Sequence, residues 1–221
     1  MATGAGSQET DWEAARARMV EAQLEARGVR SIRVLEAMRS VPRHLFVPET
    51  YRNKAYEDRA LPIGQRQTIS QPYIVGVMTE ALDPQPEDRI LEIGTGSGYQ
   101  AAVLSRLVRE VHTVEIIPEL AEQARRRLAL LGYRNVDVVT GDGYQGLANR
   151  APFDGILVTA APEKIPMPLL EQLGLGARLV IPVGARMQEL KVVERTEEGS
   201  RTRTLFQVRF VPMTGRPSKG D

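Results

Sequence analysis

The stretch Arg-Ile-Leu-Glu-Ile-Gly-Thr-Gly-Ser-Gly-Tyr-Gln at residues 89–100 carries the strongest local signal in the chain. Residues 89–93 form a short apolar run suited to a buried strand. Glycines follow at alternate positions, Gly94, Gly96 and Gly98, and then Ala101, Ala102, Leu104, Leu107 and Val108 recur at helical spacing. Strand, glycine turn and helix in that order bring a nucleotide-like ligand against backbone amides. Gly94 and Gly96, lacking side chains, let such a ligand approach the main chain. Taken alone, the turn also admits the reading of an ordinary tight strand-to-helix connection.

Two details select among ligands. A dinucleotide fingerprint needs glycine at its first, third and sixth positions, and the sixth here is Tyr99. Glu92, two residues before Gly94, would repel a pyrophosphate and attract an ammonium. The glycine-lysine-serine/threonine ending of a P-loop is missing. Acid-x-Gly-x-Gly-x-Gly therefore favours S-adenosylmethionine over NAD or ATP.

Outward from this stretch the chain alternates strand and helix. Strands are expected at 111–115, 136–140, 155–159 and 178–183. A helix opens at Pro118 with Leu120, Ala124, Leu128 and Leu131 inward and closes at Gly132, and a short one spans 168–173. Such alternation predicts an α/β fold, a doubly wound, mostly parallel Rossmann-like sheet with helices on both faces. Residues 189–195 and 203–211 alternate apolar and polar around Glu197-Glu198-Gly199-Ser200, which predicts an antiparallel C-terminal hairpin.

Ahead of the core lies a helical extension. A helix is expected from Asp11 to Gly28 with Trp12, Ala15, Met19 and Ala22 on one stripe. A second follows Ser31 as N-cap, with Val34, Leu35 and Met38 on its face. Residues 1–9 are small and polar and are expected to fray. Residues 43–71 show little periodicity but hold aromatic and apolar side chains, which argues for a functional loop rather than disorder. The next helix carries Ile74, Val75, Val77, Met78, Ala81 and Leu82, and Ser70 also reads as its N-cap with Pro72 in the first turn. The expected division is 1–88 for the N-terminal helices and loop, and 89–221 for the core with its hairpin, the two forming one compact unit.

Composition excludes several chemistries. The 221 residues contain no cysteine and only two histidines, His44 and His112, so thiolate sites and multi-histidine metal centres are not expected. A net charge of +1 gives no general attraction to nucleic acid or anionic membrane. Arg125-Arg126-Arg127 reads as a solvated helix face. No run reaches the roughly 20 apolar residues of a membrane span, and the N-terminus lacks the pattern of a signal peptide. A cytoplasmic monomer is expected, and both histidines are left outside the site.

In an open α/β sheet the ligand lies beyond the carboxyl ends of the strands. Each of the first three core strands delivers an acid there. Glu92 comes first, then Glu115 where a ribose diol could donate to it, then Asp142 in Gly141-Asp142-Gly143 where an adenine amino group could be read.

Residues 92–98, Val114-Glu115, Gly141-Asp142-Gly143 and Phe153-Asp154-Gly155-Ile156 together resemble the ordered motifs of class I S-adenosylmethionine-dependent methyltransferases. More narrowly, Arg59-Ala60-Leu61-Pro62-Ile63-Gly64 and Gln67-Thr68-Ile69-Ser70-Gln71-Pro72 are similar to the substrate-side signature of the protein-L-isoaspartate O-methyltransferases. Residues 158–162, 179–184 and 210–214 match that family as well, so the resemblance runs from about 43 to 214. It implies an active-site serine at Ser70, substrate contacts at Thr68, Ile69, Gln71 and Thr214, and cofactor contacts at Glu92, Gly94, Thr95, Gly96, Ser97, Gly98, Glu115, Asp142 and Gly143. One departure is Gln65-Arg66, where the family often has a histidine-glycine pair.

The implied reaction moves a methyl group to the free carboxylate of an L-isoaspartyl residue in a damaged protein or peptide, which starts repair through a succinimide. That carboxylate is ionised at neutral pH, its reference pKa lying near about 3.9, so no general base is required. Ser70 is then a positioner rather than a nucleophile. A methyltransferase for RNA or a small molecule would share the cofactor half but leave residues 68–72 unexplained. A non-catalytic cofactor-binding module and an NAD-dependent reductase fit less of the pattern.

Overall fold

The computed structural model describes residues 11–216, so the expected fraying of residues 1–9 lies outside the described residues. Helix α1 (Trp12–Met19) starts at Asp11, whose carboxylate accepts from Ala14 N at 2.9 Å. It does not continue regularly to Gly28. A π turn (Val20–Leu24) and a 3-10 turn (Glu25–Arg27) intervene before left-handed Gly28. A π turn carries one more residue than an α turn. Leu24 rather than Ala22 therefore follows Met19 onto the buried face, and Ala22 is exposed. Helix α2 (Ile32–Ser40) matches expectation, with Ser31 Oγ accepting from Val34 N at 3.4 Å and Val34, Leu35 and Met38 buried.

The loop at 43–71 has more order than its sequence announced. It holds two 3-10 turns (Arg43–Phe46 and Glu49–Lys54) and a hairpin of β1 (Leu61–Gly64) and β2 (Gln67–Ile69). Gln65 and Arg66 make the turn, both with positive φ, 50° and 58°. Two left-handed residues are what a tight primed hairpin turn requires, and asparagine or glycine usually signals it. Gln-Arg carries no such signal, which is why the hairpin was not expected. Arg66→Gly is expected to stabilise the protein by up to about 1 kcal/mol, because left-handed strain outweighs the added chain entropy. A urea midpoint that falls, with unchanged slope, would contradict this.

Helix α3 (Pro72–Leu82) leads to β3 (Arg89–Ile93), α4 (Tyr99–Ser105), β4 (Glu110–Glu115), α5 (Pro118–Leu130) and β5 (Val136–Thr140). The chain continues through β6 (Phe153–Val158), α6 (Met167–Glu171), β7 (Leu173–Val183), β8 (Gln188–Thr196) and β9 (Gly199–Val208). The sheet order is β5-β4-β3-β6-β7-β8-β9. Pairings from β5 to β7 are parallel, and those of β7 with β8 and β8 with β9 antiparallel. The expected doubly wound sheet with a C-terminal hairpin is thus present, although β7 starts five residues before the expected Arg178.

Strand alternation divides the interior into two layers. Ile90, Leu157 and Val180 join α3, α4, α5 and the N-terminal helices on one face, whereas Leu91, Ile156 and Leu179 join Leu169 of α6 on the other. Met19, Leu24 and Met38 belong to the first layer, so the N-terminal helices pack into the core of the sheet.

Candidate active site

β3 is flanked by β4 on one side and β6 on the other, because the chain winds outward through β4 and β5 before returning. That reversal opens a crevice at the carboxyl end of β3. Two openings meet there. One is a narrow cavity of about 70 Å³ bordered by Gly94, Gly96, Glu115, Gly143 and Thr214. The other is a cleft of about 520 Å³ bordered by Thr68, Ser70, Gln71 and Tyr73. Thr68 and Thr159 border both.

Gly94 has φ +95°, and a Cβ added to it would lie 2.4 Å from Thr159 Oγ1. That hydroxyl donates to Gly94 O at 2.7 Å and Ile93 O at 3.0 Å, locking the turn to the end of β6. Thr95 and Ser97 face inward. Thr95 Oγ1 lies 2.7 Å from Thr113 Oγ1, and Ser97 Oγ accepts from Tyr99 N at 3.3 Å. Gly98, which opens α4, packs under Leu128 of α5, 3.2 Å from where its Cβ would be, and does not border the cavity. It serves the turn through packing.

The three acids differ. Glu92 is wholly buried, and its Oε2 accepts from Thr113 Oγ1 at 2.5 Å. Its Oε1 has no partner among the described residues. Burial pushes the carboxyl up to about 8, opposed by the Thr113 hydroxyl and reinforced by the charge of Glu115. Glu115 Oε2 accepts from Gly96 N at 2.8 Å and Oε1 from Ile117 N at 3.0 Å, which fixes the carboxylate at the cavity wall. Asp142 accepts from Tyr144 N at 3.0 Å and Arg216 N at 2.7 Å. It thereby anchors the C-terminal segment, and Gly143 rather than Asp142 borders the cavity.

The Glu92 shift has a consequence for stability. The folded protein retains a proton that the unfolded chain releases near pH 4.5, so this contribution is complete below that value. It declines as pH rises and is gone above about 8, by about 1 kcal/mol per pH unit between those limits. Glu92→Gln should flatten that slope in ligand-free protein. Equal slopes in both proteins, from urea unfolding at pH 5, 6.5 and 8, would contradict it.

At the cleft, Ser70 does not cap α3. The N-cap is Gln71, and Pro72 occupies the first turn as expected. Ser70 Oγ takes no hydrogen bond among the described residues and borders the cleft half-buried. Ile69 pairs with Leu61 and buries its side chain in the core, so only its backbone is available. Thr68 and Thr214 are exposed. A void of about 30 Å³ is bordered by Ser70, Glu92, Gly94 and Thr159 at once.

The histidines stand apart. His44 stacks on Trp12 at 4.5 Å with Nδ1 2.8 Å from Tyr56 Oη, and burial lowers its pKa. His112 is buried in β4, 3.1 Å from Glu110 and 3.2 Å from Arg150.

Four residues were given no place in the site from sequence. Thr159 separates the two openings, and Thr113 holds Glu92. Arg43 Nη2 donates to Ser70 O at 2.7 Å. Arg127 Nη1 donates to Ser97 O at 2.8 Å, so the basic run is not wholly a solvated face, although Arg125 and Arg126 do pair outward with Glu122. Only Thr159 had a legible signal, its place at the end of a core strand.

Comparison with known proteins gives consistent results. Residues 14–218 match the family profile of protein-L-isoaspartate(D-aspartate) O-methyltransferase. A protein-L-isoaspartate O-methyltransferase from Gloeobacter violaceus is 57% identical over 198 residues, covering 89% of this chain and 97% of that one. The Methanoregula boonei protein of the same name is 56% identical over 202 residues, 91% and 93% of the two chains. A solved protein-L-isoaspartate O-methyltransferase superposes with TM-score 0.84 at 30% identity over 90% of this chain, which spans 66% of that longer one. A Plasmodium falciparum protein described as a protein-L-isoaspartate O-methyltransferase, solved with S-adenosyl-L-homocysteine, gives TM-score 0.78 over 93% of this chain and 99% of that one. At 23% identity that likeness is one of fold.

Proposed function

This chain belongs to the protein-L-isoaspartate(D-aspartate) O-methyltransferase family, and from that premise we propose how its residues carry out methyl transfer to isoaspartyl carboxylates. The enzyme methylates the free carboxylate of L-isoaspartyl residues in proteins and peptides and so starts their repair. One observation carries the assignment of roles: Ser70, Glu92, Gly94 and Thr159 all border one void at the switch point of the sheet.

The residues present fit S-adenosylmethionine. Glu92 Oε1 is a buried oxygen with no partner among the described residues, and the ammonium of a methionine moiety beside it would favour the ionised carboxylate that burial alone disfavours. Side-chain-free Gly94 and Gly96 leave the main chain open to close approach, and Glu115 stands at the wall where a ribose would lie. The cofactor supplies an electrophilic methyl on a sulfonium sulfur. Residues 211–214 border the cavity beside Glu115 and Gly143.

Ser70 Oγ and the backbone amides near it hold the ionised substrate carboxylate by hydrogen bonds. No proton has to move, so catalysis rests on alignment, which can supply about 7–11 kcal/mol of a barrier. Thr159, between cleft and cavity, marks where the two reactants meet.

The test is transfer of labelled methyl from S-adenosylmethionine to a peptide with one L-isoaspartyl residue, with its aspartyl twin as control. Base-labile label on the isoaspartyl peptide alone supports the reading, and no label on either overturns it. We also read the protein as a cytoplasmic monomer acting on polypeptide rather than nucleic acid, given its net charge of +1. No helix among the described residues is long and apolar enough to cross a membrane. A light-scattering mass near twice 24.5 kDa would contradict the monomer.

A further inference from the structure

Arg43 is wholly buried yet charged. Its Nε donates to Ala55 O at 2.7 Å and its Nη2 to Ser70 O at 2.7 Å, while the guanidinium lies 4.9 Å from the centroid of the Tyr99 ring. Asp58, the one carboxylate among the described residues that acts on it, is paired instead with Arg27. Burial lowers its pKa only to about 10, so the charge persists at neutral pH. A charge without a paired counter-ion is expensive to bury, and an apolar side chain would fill the space without that penalty. What the guanidinium adds is a grip on two carbonyls, one of them that of Ser70.

The Ser70–Gln71 peptide is trans, so its N–H points opposite its C=O. With Ser70 O turned to Arg43, Gln71 N–H points away from that buried guanidinium, and Ser70 and Gln71 both border the cleft. It meets no acceptor among the described residues. A guanidinium on the carbonyl also polarises the peptide unit and strengthens what its N–H can donate. Arg127 holds Ser97 O in the cofactor turn in the same manner.

We propose that Arg43 is a positioning residue for the methyl acceptor, turning the Ser70–Gln71 peptide so that Gln71 N–H, beside Ser70 Oγ, receives the isoaspartyl carboxylate. This rests on the reading of Ser70 given above. Arg43→Lys keeps the charge but cannot bridge both carbonyls. It is expected to raise KM for an isoaspartyl peptide about tenfold while S-adenosylhomocysteine affinity stays within about twofold of wild type. In ¹⁵N-labelled wild type saturated with S-adenosylhomocysteine, the peptide should move the Gln71 amide proton downfield, and in Arg43→Lys far less.

An unchanged KM in Arg43→Lys beside an active wild type overturns the proposal alone. Should the variant fail to fold, the wild-type titration decides, and an unmoved Gln71 amide overturns it. A wild type inactive on the isoaspartyl peptide overturns the functional reading and this proposal together.

Discussion

Ser70→Ala is expected to lower methyl transfer to an isoaspartyl peptide by about ten- to a hundredfold, with S-adenosylhomocysteine bound within about twofold of wild type. The hydroxyl borders the cleft and takes no hydrogen bond among the described residues, so its loss removes a donor to the substrate without breaking a structural contact. Because Gln71 is the N-cap of α3, the variant should also keep its unfolding midpoint. Loss of a true serine cap would instead cost about 1 kcal/mol. Peptide kinetics, calorimetric titration and urea unfolding therefore separate three roles. A positioner loses turnover, a cap loses stability, and a cofactor ligand loses affinity. Unchanged turnover per bound cofactor would rule out the positioning role.

Gly94→Ala should be the most damaging change in the cofactor half. Alanine at φ +95° is strained, and its Cβ would be driven to 2.4 Å from Thr159 Oγ1. Strain and clash together are expected to cost about 2–4 kcal/mol of stability. S-adenosylhomocysteine affinity should fall by at least about a hundredfold, since the turn that meets the ligand is displaced. Adding Thr159→Ala to Gly94→Ala removes the clash but not the strain, so the double variant should recover part of the stability. Affinity within tenfold of wild type in Gly94→Ala, by calorimetry, would show that the ligand does not approach this turn.

Much of the fold was legible because its signals are local. The run at 89–93, the glycines after it and the apolar spacing of α5 each declare an element within a few residues. The hairpin of β8 and β9 declares itself by alternation. Legibility failed where conformation was imposed from outside the segment. The π turn in the first helix is invisible to a 3.6-residue period, since it is burial of Leu24 against the core that selects it. The Gln65–Arg66 turn adopts left-handed angles that neither residue favours, held by the pairing of Leu61 with Ile69 and Pro62 with Thr68.

For the site, sequence by itself picked out the glycine turn, the order of acids at the strand ends and Ser70. Those are features of single strand ends, and the parallel sheet brings such ends to one edge. Only the tertiary structure decided what each group does there. It turned Glu115 onto the amides of Gly96 and Ile117, gave Asp142 to the C-terminal segment and set Gly98 under Leu128. It also placed Arg43 behind Ser70, 27 residues away in sequence. A hydrogen bond between distant residues has no local period or turn chemistry to announce it. It exists only once the chain has closed and burial obliges each polar group to find its partner.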